Sequence, residues 1–308
     1  MALLKGNVRQ IYFRYLGAAF GSALISSIYG LVDSAMVGQY QGPEGTAALA
    51  IVAPVWNIIY SLGLLTGIGG SVLLSAARGA GRQKEGDEYF TAALAGTVFF
   101  AAVSWLAIAF FDAPLLRLFG ARDALLPLAQ QYLLPVKFVV PLFLFNQMLA
   151  AFLRNDGRPK QSMLMMLCGS GANVVLDYLL IFPWNMGLFG AALATGLSPV
   201  ISLCVAAVFL RRGKQGFHLA RPTWAPGKLR LLMGPGLSAF INELSSGLVL
   251  AVLNWLMLKV AGNTGVAAYG IVANLALMVL AVFSGISLGI QPLISRAYGS
   301  GRHGEAAR

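Results

Sequence analysis

Charged residues are scarce in this chain. They make up 11% of its 308 residues, against about 25% in soluble globular proteins, while hydrophobic residues account for 58%. This composition excludes an ordinary soluble domain and indicates a membrane protein. Acidic residues are the rarer charged type, with 11 Asp and Glu against 22 Lys and Arg. Because the basic residues fall between apolar runs, we expect no nucleic-acid partner.

Residues and motifs for metal binding and catalysis are also few. The cysteines, Cys168 and Cys204, both lie inside apolar runs and are interpreted as small buried hydrophobic residues. The histidines, His218 and His303, stand in polar loops far from any cysteine pair, so no zinc site is predicted. The sequence lacks the Walker-type Gly-Lys-Ser/Thr and His-Glu-x-x-His motifs. We therefore predict no catalytic residue, no metal site and no enzyme activity.

Long apolar runs are the dominant feature of the sequence. A membrane-spanning helix needs about 20 mostly apolar residues, and the alternation typical of barrel strands is absent. The sequence therefore predicts an all-α fold, a polytopic membrane helix bundle. Eight spans are predicted, at residues 11–37, 47–75, 91–111, 133–153, 163–182, 188–210, 231–260 and 266–290.

Basic residues are divided unequally between the two sides of these spans. Eighteen Lys and Arg lie on the side of the N-terminus, whereas the opposite side has Arg117, Arg122 and Lys259, with Lys137 just inside the fourth span. An excess of Lys and Arg marks the cytoplasmic side. We predict a multi-pass protein of the cytoplasmic membrane with its N-terminus in the cytoplasm.

An internal repeat divides the chain. At a shift of 220 positions, residues 45–53 resemble 265–273, and residues 75–82 resemble 295–302. The repeat predicts that the seventh and eighth spans restart the first two as a parallel repeat. We divide the chain into a six-helix lobe at 1–212, a basic linker at 213–230 and two helices of a second lobe at 231–308. On this division we expect a fragment that lacks about four helices of a twelve-helix transporter.

Three acidic residues lie within predicted spans: Asp33, Asp177 and Glu243. A carboxylate at the centre of a membrane helix costs roughly 2.5–3.5 kcal/mol on insertion scales, so each is a functional candidate by default. Asp33, Asp177 and Thr195 are expected roughly 6–10 Å below the same membrane face, at 1.5 Å per helical residue. Asn173 and Asp177, spaced i, i+4, share one face of the fifth span.

These polar residues allow two interpretations. Burial and a neighbouring carboxylate favour a protonated acid, and clustered oxygen atoms suit a cation, so the group predicts a proton or Na⁺ site. Alternatively, such residues only join helices by hydrogen bonds. We favour function for Asp33 and Asp177 and leave both interpretations open for Asn173 and Thr195. For Tyr132, at the outer end of the fourth span, the plainer alternative is an aromatic residue of the membrane interface.

Glu243 lies about ten residues into the seventh span, nearer the cytoplasmic side. It is a candidate second ion site or a site for a cationic substrate. The alternative interpretation is that Glu243 pairs with Lys137 or with a residue of the helices expected after the eighth span.

The sequence has five further motifs, at residues 31–38, 173–177, 190–195, 242–247 and 291–301. Together these motifs resemble those of the multidrug and toxic compound extrusion (MATE) transporters, nearest the bacterial branch of DNA-damage-inducible F-type and MepA-type pumps. The resemblance implies twelve helices in two six-helix lobes that face each other in a V. It also implies antiport by alternating access, in which H⁺ or Na⁺ enters while an amphipathic, usually cationic, drug or toxic compound leaves.

The resemblance also implies roles for individual residues. The cation or proton site of the amino-terminal lobe would fall on Asp33, Asn173, Asp177 and Thr195, with Tyr132 as a neighbour. A further acid used by some members would fall on Glu243. No cofactor other than the coupling ion is expected, and the partners are the lipid bilayer and small molecules bound by a monomer.

Two other functions stay open at this stage. A flippase for lipid-linked oligosaccharides or a peptidoglycan precursor shares the general architecture, and a cavity lined by several arginines would favour it. A non-transporting assembly or a folding intermediate is the third possibility. The sequence leaves the coupling ion, H⁺ or Na⁺, and the substrate open.

Overall fold

The computed structural model describes residues 8–121, 125–213, 215–220 and 226–301. Within these ranges the regular secondary structure is helical, and no β-strand occurs. The helices are α1 (Val8–Gly79), α2 (Gln83–Leu118), α3 (Leu126–Asn155), α4 (Pro159–Ile181), α5 (Gly187–Arg211) and α6 (Pro226–Gly299). The predicted all-α helix bundle is confirmed.

Helix α1 is a hairpin of two antiparallel arms. At Gly42 the backbone leaves the helical conformation with φ +68° and ψ −156°, a conformation that glycine adopts without the steric cost of a Cβ. A methyl group at Gly38 would lie 3.0 Å from Thr46 Cγ2, so the two arms face each other directly after the turn. The arms contain the first two predicted spans.

Helix α6 also reverses direction. A straight helix of its 74 residues would be about 111 Å long. Instead, the carbonyl oxygen of Leu232 lies against Gly69, and that of Arg296 lies against Gly79. Both ends of α6 therefore meet the same end of the second arm of α1. The seventh and eighth predicted spans lie in α6, many of whose side chains are outside the described set.

Five helices in the described residues are long and apolar enough to cross a membrane. They comprise α2, α3, α4, α5 and the part of α1 from Ile28 to Gly79. The end of the third predicted span at residue 111 coincides with a kink in α2, where Phe111 has φ −123° and ψ 28°. Hydropathy therefore located these helices correctly.

Apolar side chains pack in two clusters at different levels of the bundle. One joins the turn of α1 to α3 and α5 through residues such as Val37, Leu133 and Leu188. The other lies near the end of the bundle that carries most of the basic residues, and it includes Phe152 and Phe217. We call this the basic end, defined by Arg78, Arg82, Arg154, Arg158 and Arg211, which lie at or next to helix termini.

The predicted linker, 213–230, begins just after α5 ends at Arg211, but its last five residues, 226–230, belong to α6, which begins at Pro226. Its residues 214 and 221–225 are outside the described residues, as are the terminal segments 1–7 and 302–308 and the loop 122–124. The basic residues predicted in those segments are therefore not placed. The division into lobes stays a prediction.

Candidate functional site

Five side chains named from the sequence are buried in the described structure. Their exposed fractions are 9% for Asp33, 2% for Tyr132, 0% for Asn173, 0% for Asp177 and 8% for Thr195. They come from four helices: α1 carries Asp33, α3 carries Tyr132, α4 carries Asn173 and Asp177, and α5 carries Thr195.

Helices α4 and α5 approach closely beside this group because Gly169 has no side chain. Its Cα faces Ser198 and Ser202 of α5, and a Cβ at this position would lie 2.8 Å from the carbonyl oxygen of Ser198. One turn later on α4, Asn173 therefore faces Thr195. Close packing of small residues thus places the amide against the next helix.

The Asn173 amide connects Asp177 to α5. In the orientation that satisfies both of its polar atoms, its nitrogen donates to Asp177 Oδ2 at 3.2 Å. Its oxygen accepts from the backbone N–H of Thr195, also at 3.2 Å. The amide orientation is assigned from this hydrogen-bond network. Asn173 therefore holds the carboxylate of Asp177 in a fixed position.

Tyr132 joins the group through Thr195, with which its hydroxyl forms a side-chain hydrogen bond. The charges of Asp33 and Asp177 both act on this hydroxyl, and the charge of Asp33 acts on Asp177. The two carboxylates therefore lie within electrostatic range of each other. Since Tyr132 is 2% exposed, its interpretation as an interfacial aromatic residue is wrong.

Tyr29 is a member of the group that the sequence did not single out. It precedes Asp33 by four residues on α1, and the charges of Asp33 and Asp177 act on its hydroxyl. The i, i+4 spacing puts the two side chains on one helix face. That spacing was the available signal, but a tyrosine in an apolar run is common and draws no attention.

The carboxylates are incompletely satisfied by the described residues. Oδ1 of Asp33 and Oδ1 of Asp177 are buried, and no hydrogen-bond donor of the described chain contacts either atom. An unpaired buried carboxylate is costly, and the cost is relieved by a proton or a cation. Carboxylate, amide and hydroxyl oxygens suit a proton or a hard cation such as Na⁺. The chemistry of the group fits either ion.

Glu243 lies apart from this group on α6 and is half-buried. Its charge acts on Tyr60, which is also within the electrostatic range of Tyr29. Lys137, the base considered as its partner, instead donates to Asp112 Oδ2 at 2.7 Å. The pairing of Glu243 with Lys137 is therefore wrong, and Glu243 stays a candidate without an assigned cation.

Known proteins resemble this chain over most of its length. A protein-family model described as MatE matches residues 18–179 and 239–308. Multidrug export protein MepA of Staphylococcus aureus (strain NCTC 8325 / PS 47) is 28% identical over 278 residues, which cover 88% of this chain and 60% of that protein. Multidrug export protein MepA of Staphylococcus saprophyticus is 30% identical over 281 residues, covering 89% of this chain and 61% of that protein.

Solved structures share the fold. A structure described as the outward-facing conformation of a multidrug resistance MATE family transporter of the MOP superfamily superposes with a TM-score of 0.87 at 25% identity, covering 97% of this chain and 66% of that chain. A crystal structure of MATE in the straight conformation gives a TM-score of 0.89 at 24% identity, with coverages of 97% and 67%. The chain spans about 60% of the length of the curated relatives that it matches.

Proposed function

The chain belongs to the MatE family, and on that premise we propose that it acts in the export of amphipathic, often cationic, compounds coupled to H⁺ or Na⁺ entry. The observation that carries this proposal is the pair of buried carboxylates, Asp33 and Asp177, each with an oxygen atom that no described donor satisfies. Relatives named as multidrug export proteins support the substrate class.

Coupling would proceed through the charge of this group. When a proton binds one carboxylate, or Na⁺ binds between them, the repulsion between Asp33 and Asp177 falls. Oδ2 of Asp177 accepts from Asn173, whereas none of the hydrogen bonds found among the described residues holds Asp33. Binding would therefore act mainly on the first arm of α1, and a change in its packing would favour outward release of substrate by alternating access.

The same residues define how each ion would be held. A proton would lie between a carboxylate oxygen and a neighbouring oxygen atom. Sodium would take ligands from Asp33, Asp177 and the hydroxyl of Thr195, with the amide oxygen of Asn173 available if its amide turned. The hydroxyl of Tyr132 is positioned to support Thr195 through their hydrogen bond.

We also propose the cytoplasmic membrane as the location and the basic end as its cytoplasmic side. Arg78, Arg82, Arg158, Arg211 and Arg212 lie at that end of the described helices, and an excess of such residues marks the cytoplasmic side. The candidate site then lies nearer the outer face, since Asp33 precedes the turn at Gly42 by nine residues, or about 13 Å of helix.

The test is Asp33→Asn in the natural full-length protein, with efflux of a cationic dye from cells as the measurement. The amide keeps the size of the side chain but cannot release a proton at physiological pH. We expect gradient-driven efflux to fall to background while expression is unchanged. Asp112→Asn, which removes a carboxylate paired with Lys137 outside the group, is the matched control and keeps its efflux.

Collapsing the Na⁺ and H⁺ gradients separately in the unmodified protein assigns the coupling ion. Undiminished efflux by Asp33→Asn would refute the coupling role of this group. Efflux that survives the loss of both gradients would refute ion coupling altogether.

A further inference from the structure

Asp156 is a buried acid at the basic end that the proposed coupling mechanism does not use. Its side chain is 2% exposed and forms an ion pair with Arg78 at the end of α1. Its other oxygen, Oδ2, accepts from Arg158 Nε at 3.2 Å and from the backbone N–H of Gly216 at 2.9 Å. One carboxylate thus joins α1, the turn between α3 and α4, and the linker.

The linker segment, residues 215–220, is bound to α2 along its length. The carbonyl oxygen of Gly216 accepts from Gln83 Nε2 at 2.6 Å. Two further linker N–H groups donate to α2 side chains: His218 to Asp87 Oδ1 at 3.1 Å and Ala220 to Thr91 Oγ1 at 3.0 Å. Surface loops usually lack such anchors. In the linker segment, by contrast, alternate residues are hydrogen-bonded to α2 over two of its turns.

An aromatic side chain anchors the same segment in the core. Phe217 is 3% exposed, and its ring centroid lies 4.6 Å from that of Phe90 and 5.8 Å from that of Phe152. Rings at these separations interact favourably beyond their burial. The linker segment therefore closes over the apolar cluster at the basic end.

The C-terminal part of α6, which includes Pro292 and Arg296, meets α1 beside Asp156. Ser75 Oγ donates to the carbonyl oxygen of Pro292 at 3.3 Å, and the carbonyl oxygen of Arg296 lies against Gly79. The charges of both Arg78 and Asp156 act on the guanidinium of Arg296. The carboxylate of Asp156 therefore attracts the guanidinium of Arg296, which the guanidinium of Arg78 repels. Without the charge of Asp156, Arg78 and Arg296 would repel each other across this contact.

We propose that Asp156 and the linker segment form a latch that holds the basic end of the molecule closed. In the latched state the carboxylate offsets the repulsion between Arg78 and Arg296, and the bound linker keeps the bundle ends together. Release of Asp156 would free Gly216, loosen the linker and let α6 move away from α1. The latch rests on the proposed function, because alternating access requires this end to open.

Accessibility of the α1–α6 contact measures the latch directly. Ser75, which is 1% exposed, is replaced by Cys in the natural full-length protein, after Cys168 and Cys204 are replaced by Ser. A membrane-impermeant maleimide is then added to vesicles that expose the basic end. The rate of labelling at position 75 reports how often the contact opens.

Two variants break the latch in different ways. Asp156→Asn removes the charge with little change in size. Gly216→Ala leaves the core intact but places a Cβ 2.7 Å from Asp156 Oδ1 and 2.8 Å from Arg78 Nη2. We expect each to raise the labelling rate by about tenfold or more, the shift in an equilibrium that loss of one charge-assisted hydrogen bond produces.

The controls match each variant. Asp112→Asn removes a half-buried carboxylate with a lysine partner away from the basic end. Gly227→Ala adds a Cβ where no atom lies within 4 Å. Both should label at the rate of the parent protein. Each variant is accepted when it elutes as a monodisperse peak, which shows that it is folded.

Labelling needs neither substrate nor an ion gradient, so its result is separable from the transport test. Unchanged labelling in folded Asp156→Asn and Gly216→Ala variants would overturn the latch, whatever the efflux result. Faster labelling supports the latch even where Asp33→Asn retains efflux, which would refute the coupling proposal alone.

Discussion

Replacing Phe217 by Ala removes the aromatic anchor of the linker segment while leaving its backbone hydrogen bonds in place. Phe217 is 3% exposed and packs between Phe90 and Phe152. Truncating a buried Phe to Ala typically costs about 3–5 kcal/mol. The ring sits on a connecting segment, so this cost falls first on the docking of the linker and only secondarily on the bundle.

After the substitution, only the hydrogen bonds of the linker segment still hold it in its docked position. Four hydrogen bonds of the segment remain: the N–H groups of Gly216, His218 and Ala220 donate to side chains, and the Gly216 carbonyl oxygen accepts from Gln83. At about 1 kcal/mol each, their sum of about 4 kcal/mol is comparable with the loss. Because each 1.4 kcal/mol changes an equilibrium about tenfold, the undocked fraction should rise about a hundredfold or more.

Limited trypsin digestion measures this fraction. Arg211 and Arg212 are exposed and lie just before the segment, and cleavage after them requires the local backbone to leave its docked conformation. We expect cleavage between the two parts of the chain to accelerate about a hundredfold, with a much smaller fall in the thermal midpoint. Leu219→Ala, which truncates a side chain that is 70% exposed, is the control and should cleave at the parent rate.

Two results would refute this reasoning. Equal cleavage of Phe217→Ala and Leu219→Ala would show that the ring does not hold the linker. A large fall in the thermal midpoint without faster cleavage would show that Phe217 supports the whole bundle and not the docking of one segment.

Two further substitutions test the site and the helix contacts. Thr195→Val keeps the shape of the side chain but removes the hydroxyl that bonds Tyr132, so dye efflux should fall severalfold. Thr195→Ser keeps a hydroxyl and should retain efflux. Equal efflux by the two variants would contradict a role for the hydroxyl. Gly79→Ala places a Cβ against the carbonyl oxygen of Arg296, and such overpacking costs about 1–3 kcal/mol. Its thermal midpoint should fall, whereas Gly17→Ala, with no atom within 4 Å of the added Cβ, should unfold at the parent temperature.

The predicted spans correspond well to the helices because the requirement that lipid imposes on the backbone is local. Backbone groups in a bilayer must be satisfied within the segment, so an apolar run of sufficient length forms a helix whatever its neighbours are. The reversal at Gly42 was placed only approximately, between residues 37 and 47. Its position depends on one positive φ value, which several glycines nearby could have supplied.

The candidate site was predicted in composition but not in arrangement. Asp33 and Asp177 stood out because a charge within a membrane span is rare and costly. Tyr29 was missed, and Tyr132 was interpreted from the residues alone as interfacial. An aromatic side chain is at home in lipid, at the interface and in the core, so its sequence position does not tell which of these it occupies.

At the basic end, unlike the candidate site, the important residues were not predicted from the sequence. Asp156 and Phe217 occupy short connections in which acids and single aromatic residues are ordinarily exposed, and neither was singled out. Their burial arises because the linker returns across α2 and lies over the ends of α1 and α3. Such a return path involves contacts between residues 60 or more positions apart, as Asp156 and Gly216 are.

The sequence by itself determined the number of long apolar segments, their order, the side that carries the basic residues and the acids that lie within the spans. These follow from transfer free energies that add up residue by residue along the chain. Only the tertiary structure decided that Asp33 and Asp177 lie within electrostatic range of each other, that Asn173 connects Asp177 to Thr195, and that Asp156 is buried beneath the linker. Such contacts depend on the rotation and tilt of each helix against its neighbours, which packing sets and local composition does not.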